Sequence, residues 1–182
     1  MSKLSKKLIE QLLDCSSKEK EEIGNTIVRA LGGNPQKIAS KLPKRKGNQD
    51  GGIDGRIVIY SEILVTYSRP NKKELYCDEI KKVKDTAAFN IKIEREKFDR
   101  KNLATFIHDM DREQIFSGII VSASGLSQDA DSELNRINEE GKFKLYHFSI
   151  ADILTGDIIC DLEFEDDLQD SMQNSIRNHI NS

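Results

Sequence analysis

Asp54 lies in Asp50-Gly-Gly-Ile-Asp-Gly55, an acid held between glycines just ahead of the apolar run Arg56-Ile-Val-Ile-Tyr60. Farther along, Phe89-Asn-Ile-Lys-Ile-Glu94 alternates apolar and polar residues, so a strand would turn Phe89, Ile91 and Ile93 to one face and Asn90, Lys92 and Glu94 to the other. Phosphodiester hydrolysis needs a divalent metal, an activated water and positive charge near the phosphoryl group. Mg²⁺ takes hard oxygen ligands, commonly one or two carboxylates with water and phosphate. An acid on one strand and a lysine on its neighbour can supply both parts if the two strands pair. The competing reading is structural: a tight glycine turn, and a solvated sheet face on which Lys92 pairs with Glu94.

Those residues need elements to hold them. Leu4, Leu8, Leu12 and Leu13 predict a helix over 3–14, and Ser16 with Glu19 forms a capping-box pattern for a second helix that Gly32-Gly33 ends. Strands are expected over 53–60 and 62–68, while 74–84 reads as either a short helix or a strand. Leu103, Phe106, Ile107 and Met110 predict a helix over 100–114, with Asp109, Asp111 and Glu113 on its solvated face. Gly118-Ile-Ile-Val-Ser-Ala123 reads as a buried strand. Ser127 caps a helix that stops near Gly141, and Lys144 to Ile150 is a further strand. A helical turn over 151–154 ends at Gly156, and the tail from about 165 is either a polar helix or frayed. This alternation predicts an α/β fold with a mixed sheet flanked by helices.

The 182 residues fit a single domain, with a core over about 17–156 and an acidic tail over 157–182. No apolar run has the length of a membrane span, and the basic N-terminus lacks a small-residue cleavage site, so neither membrane insertion nor secretion is expected. Cys15, Cys77 and Cys160 are isolated, which predicts free thiols in the cytoplasm and no structural zinc. Ser122, Ser124 and Ser127 lack a Gly-x-Ser-x-Gly setting and a partnered histidine, so a serine hydrolase is not expected. His108, His147 and His179 are scattered and read as packing or surface residues. A net charge of −3 argues against a free-standing DNA binder. Yet residues 23–49 contain no acid and carry Lys37, Lys41, Lys44, Arg45 and Lys46, which either hold phosphates or form a solvated loop.

Taken in order, Leu31-Gly-Gly33, Gly51-Gly-Ile-Asp-Gly55, Asn90-Ile-Lys92, the 100–114 helix, Gly118 to Ser127, Asp129-Ala130 and Ile153-Leu154 resemble the PD-(D/E)XK nuclease superfamily, and within it the Mrr-like restriction endonucleases. The resemblance covers roughly residues 20–156. It implies a restriction-endonuclease-like fold and a Mg²⁺- or Mn²⁺-dependent DNA endonuclease of restriction or phage-defence type. Asp54 would be the main metal ligand, Lys92 the motif lysine, and Ile91 a ligand through its backbone carbonyl. Asn90 stands where the family has Glu or Gln. Glu94, Glu22 or Asp50 would then complete the site, or else Asp54 pairs with a literal Glu-x-Lys at Glu79-Ile-Lys81. The departure at Asn90 also leaves open a catalytically weakened DNA-binding or scaffold subunit. A third reading is an interaction domain whose acidic tail binds a basic partner. With no room for a separate sequence-reading domain, a homodimer or a larger complex is expected.

Overall fold

The structure, a computed structural model, describes residues 3–35, 52–68, 75–156, 158, 163–164 and 168–180. The basic positions 37–46, together with Asp50 and Gly51, lie outside the described residues. Helices α1 (Lys3–Asp14) and α2 (Ser17–Ala30) come first, followed by strands β1 (Gly55–Ser68) and β2 (Leu75–Lys92). Next come α3 (Arg100–Arg112), β3 (Ser117–Ser122), α4 (Gln128–Glu140), β4 (Lys144–Ser149) and α5 (Ile150–Thr155). The described elements end with β5 (Glu163–Phe164) and α6 (Leu168–Ile180). They make one five-stranded sheet in the order β4-β3-β2-β1-β5, parallel across β2, β3 and β4 and antiparallel at β1. The expected α/β architecture, a mixed sheet flanked by helices, is what the chain adopts.

Alternation along the strands sends side chains to two separate cores. On one face Ile57, Ile59, Ala87, Phe89, Ile119, Val121 and Phe148 pack under α1, α2, α5 and α6. On the other, Ala88, Ile120 and Leu145 pack under Leu103, Phe106 and Met110 of α3 and Leu134 and Ile137 of α4. Both outer helix segments belong to the first core. Ile9 and Leu12 of α1 are buried in it, as are Leu168, Met172 and Ile176 of α6, spaced one turn apart. The helix within the acidic tail is therefore a packed element, because its apolar stripe has a sheet face to cover.

Two expectations about the strands change. Residues 53–68 do not hold two strands; β1 runs unbroken, and the ambiguous 74–84 stretch is, from Leu75 on, the first half of β2. Together they form a long hairpin with Gly55 opposite Phe89 and Val65 opposite Glu79. Glu79 and Lys81 thus lie about ten residues, roughly 33 Å, along β2 from the Asp54 end. That separation overturns the Glu79-Ile-Lys81 pairing with Asp54.

Capping fixes how α2 delivers the chain to β1. Ser16 and Glu19 make the expected capping box. At the other end Gly32 has φ 71°, a left-handed value that glycine tolerates, and Gly33 lies so close to β1 that a Cβ there would sit 2.5 Å from the Arg56 carbonyl oxygen. Asn34 then exchanges backbone hydrogen bonds with Arg56, at 2.9 and 3.1 Å.

Candidate functional site

β1 begins at Gly55, so β2 overshoots it by Asn90, Ile91 and Lys92. The Asp54 carboxylate fills the place that a strand would have taken: its Oδ2 accepts the Ile91 N–H at 2.8 Å, while the Asp54 N–H donates to the Phe89 carbonyl at 2.8 Å. A strand residue presents its N–H and C=O to the same side. The Ile91 carbonyl therefore opens toward the side on which Asp54 sits. Behind it, Gly24 of α2 packs so closely that a Cβ would meet Ile91 Cγ2 at 2.7 Å.

Asn90 and Lys92 occupy the opposite face of β2 from Phe89, as the alternation predicts. The Asn90 amide nitrogen donates to the Gly52 carbonyl at 2.5 Å. Since a carbonyl can only accept, the Asn90 oxygen is left as that side chain's one acceptor. Lys92 has a side chain 16% exposed; its ammonium lies 3.4 Å from the Glu94 carboxylate and donates to the Lys97 carbonyl at 3.2 Å. Glu94 is itself mostly exposed, and its backbone carbonyl accepts from Ser124 Oγ at 2.6 Å. The structure thus brings Asp54, Asn90, Ile91, Lys92 and Glu94 to one end of β2. Glu22 is exposed on α2, its carboxylate 4.0 Å from the Lys18 ammonium. Lys37, Lys41, Lys44, Arg45 and Lys46 fall outside the described residues.

Asp109 was expected to face solvent and does not. It is 4% exposed, and its Oδ2 accepts the Gly52 N–H at 2.5 Å while Oδ1 pairs with Arg112 at 2.9 Å. Gly52 is thereby held from two directions, by Asp109 at its N–H and by Asn90 at its carbonyl. The turn approaches α3 so closely that a Cβ on Gly52 would lie 3.1 Å from the Phe106 Cα. Close by, Glu113 bonds Arg56 at 2.8 Å and Arg112 at 3.2 Å. The Arg56 Nε is buried without a hydrogen-bond partner. The sequence signal for Asp109 was its position three residues after Phe106, on the margin of the apolar stripe.

A second polar pair also escaped the sequence reading. Ser122, at the end of β3, has a histidine partner after all: its Oγ lies 2.7 Å from His147 Nε2. The sheet register aligns Asn90 with Ile120 and His147, and Lys92 with Ser122 and Ser149. Burial lowers the His147 pKa from its ordinary 6.5, against the opposing pull of Asp152 and Asp131, which favours the neutral imidazole. Ser122 is only 1% exposed, so the pair is closed to an incoming ester or amide and behaves as a buried hydrogen bond.

Among the described residues the oxygen donors beside the Asp54 carboxylate are the neutral oxygens of Asn90 and Ile91, while the Glu94 carboxylate pairs with Lys92. Among the described residues no three His, Cys, Asp or Glu side chains gather in a metal-holding group. One carboxylate and neutral oxygens fit a hard divalent ion that keeps several of its waters. Among the described residues no helix is long and apolar enough to cross a membrane. No protein-family model matches the chain, and a search of curated proteins returns no match.

Proposed function

We propose that the chain is a divalent-metal-dependent DNA endonuclease of restriction or defence type, working in the cytoplasm and hydrolysing phosphodiesters at the carboxyl end of β2. The observation that carries this reading is the hydrogen bond from Ile91 N–H to Asp54. It sets a carboxylate and a strand carbonyl on one side of β2, with Lys92 the next residue on. Mg²⁺ or Mn²⁺, when bound, supplies Lewis acidity and lowers the pKa of a water. Asp54 would hold the ion, with the Asn90 oxygen and the Ile91 carbonyl beside it. The Lys92 ammonium has three donors, of which Glu94 and the Lys97 carbonyl take two. The third would bond a phosphate oxygen and offset charge developing on the phosphoryl group. The basic positions from Lys37 to Lys46 would hold flanking phosphates. The test is plasmid nicking with Mg²⁺ or Mn²⁺: Asp54→Ala and Lys92→Ala should each lose about 100-fold or more. Equal cutting by wild type and Asp54→Ala would end the proposal.

One observation favours the second reading, a weakened nuclease-fold subunit that binds DNA or serves as a scaffold. The Asn90 amide bonds Gly52, and it brings no charge to a site where, among the described residues, no three acidic, histidine or cysteine side chains gather. On that reading wild type retains DNA without metal and without cutting it. Asn90→Glu would then gain Mn²⁺-dependent nicking.

A further inference from the structure

β2 is longer than the sheet that holds it. Among the described residues it pairs with β3 only from Ala87 to Lys92, and β1 meets β5 only at Ile59 and Tyr60. Beyond those contacts β1 and β2 continue together as a two-stranded arm reaching Ser68 and Leu75. From Ile80 to Asp85 every residue is exposed, on both faces, with Ile80 at 62% and Val83 at 38%. Two strands alone are marginal in water, whereas three or more hold together. A long strand with an open backbone edge is a template for another strand. One irregularity interrupts this edge: the register skips Cys77, between Asp78 and Tyr76. From Asp78 onward the pairing with β1 is regular. Among the described residues no third strand lies on the other side of β2 before Ala87.

The residues along that edge complement themselves. Asp78-Glu-Ile-Lys-Lys82 is two acids, an isoleucine and two bases. We propose that this edge of β2 joins the same edge of a second copy of the chain, antiparallel, about a two-fold axis at Ile80. Position 79 then stands opposite the partner's Lys81, and position 78 opposite the partner's Lys82. The symmetry repeats both, giving four acid–base oppositions around an Ile80–Ile80 centre. Opposite charges directly across an antiparallel pair stabilise it, and like charges destabilise it. A two-fold perpendicular to the sheet passes through a residue position, and at Glu79, Lys81 or Lys82 it sets like charges directly against each other. The matching stretch of β1, Glu62-Ile-Leu-Val-Thr66, carries a single charge and has no such order. Within one chain Lys82 reaches Glu163 at 2.5 Å, but both side chains are about half exposed, so the pair leaves room for a second acid across the edge.

The contact is isologous, the same surface on both copies, and it closes as a dimer. It converts two marginal ribbons into one four-stranded ribbon. Each candidate site lies roughly 33 Å up its strand from the axis, so the two sites would act on separate stretches of substrate. The proposal does not rest on the nuclease reading.

Sedimentation or light scattering of the full chain against concentration tests it. Wild type should rise toward twice the 20.7 kDa chain mass. The all-acidic variant (Lys81→Glu with Lys82→Glu) and the all-basic variant (Asp78→Lys with Glu79→Lys) should each stay at single-chain mass. An equimolar mixture of the two should recover the double mass, since every opposition is then acid to base. A wild type that stays single, an all-acidic variant that dimerises like wild type, or a mixture that does not associate would each overturn the proposal. Registry is read separately with Ile80→Cys. Directly opposed residues have Cα atoms about 4.5–5.5 Å apart, within disulfide range, so mild oxidation should give an 80–80 bond by mass spectrometry. Its failure to form while the protein dimerises would place the contact elsewhere.

Discussion

At its carboxyl end β2 runs between β1 and β3 with helices over both faces, and Ala87, Ala88 and Phe89 are fully buried there. Toward its amino end, among the described residues, the same strand has only β1 beside it, and Ile80 is largely open to solvent. Both ends carry β-branched residues among charged ones, so propensity does not separate them. Neighbours do. The buried end is fixed by two strands and by packing on each face, and that is where Asp54, Asn90 and Lys92 are held. The open end has backbone pairing and little else, which suits it to meet another molecule and not to hold a catalytic geometry.

The largest test of that contrast is a matched pair of truncations. Phe89→Ala empties a fully buried ring site and should cost about 3–5 kcal/mol. Val83→Ala removes an exposed side chain from the arm and should stay within about 0.5 kcal/mol. Urea midpoints of dilute protein measure both. Comparable losses at the two positions would mean that the arm is packed after all.

The contrast also marks what the sequence disclosed. The alternation from Phe89 to Glu94 was readable because burial on one face imposes a period of two. The same holds for the stripe of α3 and the capping box at Ser16. The arm was not readable: Asp78 to Lys84 mixes signs, and from Ile80 both faces are exposed, so it has no period to detect. Glu79-Ile-Lys81 matched a motif by residue type yet lies far from Asp54, because spacing within a strand says nothing about which end of it meets another element. Asp109 was misread for a related reason. An acid on a helix is normally solvated, and the approach of Gly52, 57 residues earlier, joins Arg112 in supplying the donors that make its burial tolerable. Ser122 and His147 meet across two parallel strands, a relation with no local signature.

Asp109 gives the next largest effect, and it tests whether the buried end is held by polar contacts as well as by apolar ones. Asp109→Ala leaves the Gly52 N–H without its acceptor and Arg112 with Glu113 alone, and should cost about 1–3 kcal/mol. Amide exchange at Gly52 should rise with it. Asp109→Asn keeps an acceptor for Gly52 and should lose less. If exchange at Gly52 is unchanged in Asp109→Ala, the turn is held by Asn90 and by its packing on α3 alone.

The smallest effect is one of pH, and it sharpens the same comparison because His147 stands in register with Asn90, two strands away. Burial lowers the His147 pKa from 6.5, with Asp152 and Asp131 opposing the shift. Between that lowered value and 6.5 the unfolded chain binds more protons than the folded one, so stability falls as pH drops through the window. Above 6.5 the histidine is neutral in both states and contributes no slope. His147→Gln cannot take up a proton, and its amide can still bond Ser122. The variant should therefore be less stable than wild type near pH 8, through imperfect packing, and the gap should narrow toward pH 5. Urea midpoints at three pH values measure this. Parallel curves for the two proteins would show that His147 is protonated as readily in the fold as outside it, and that this end of the sheet is wetter than its packing implies.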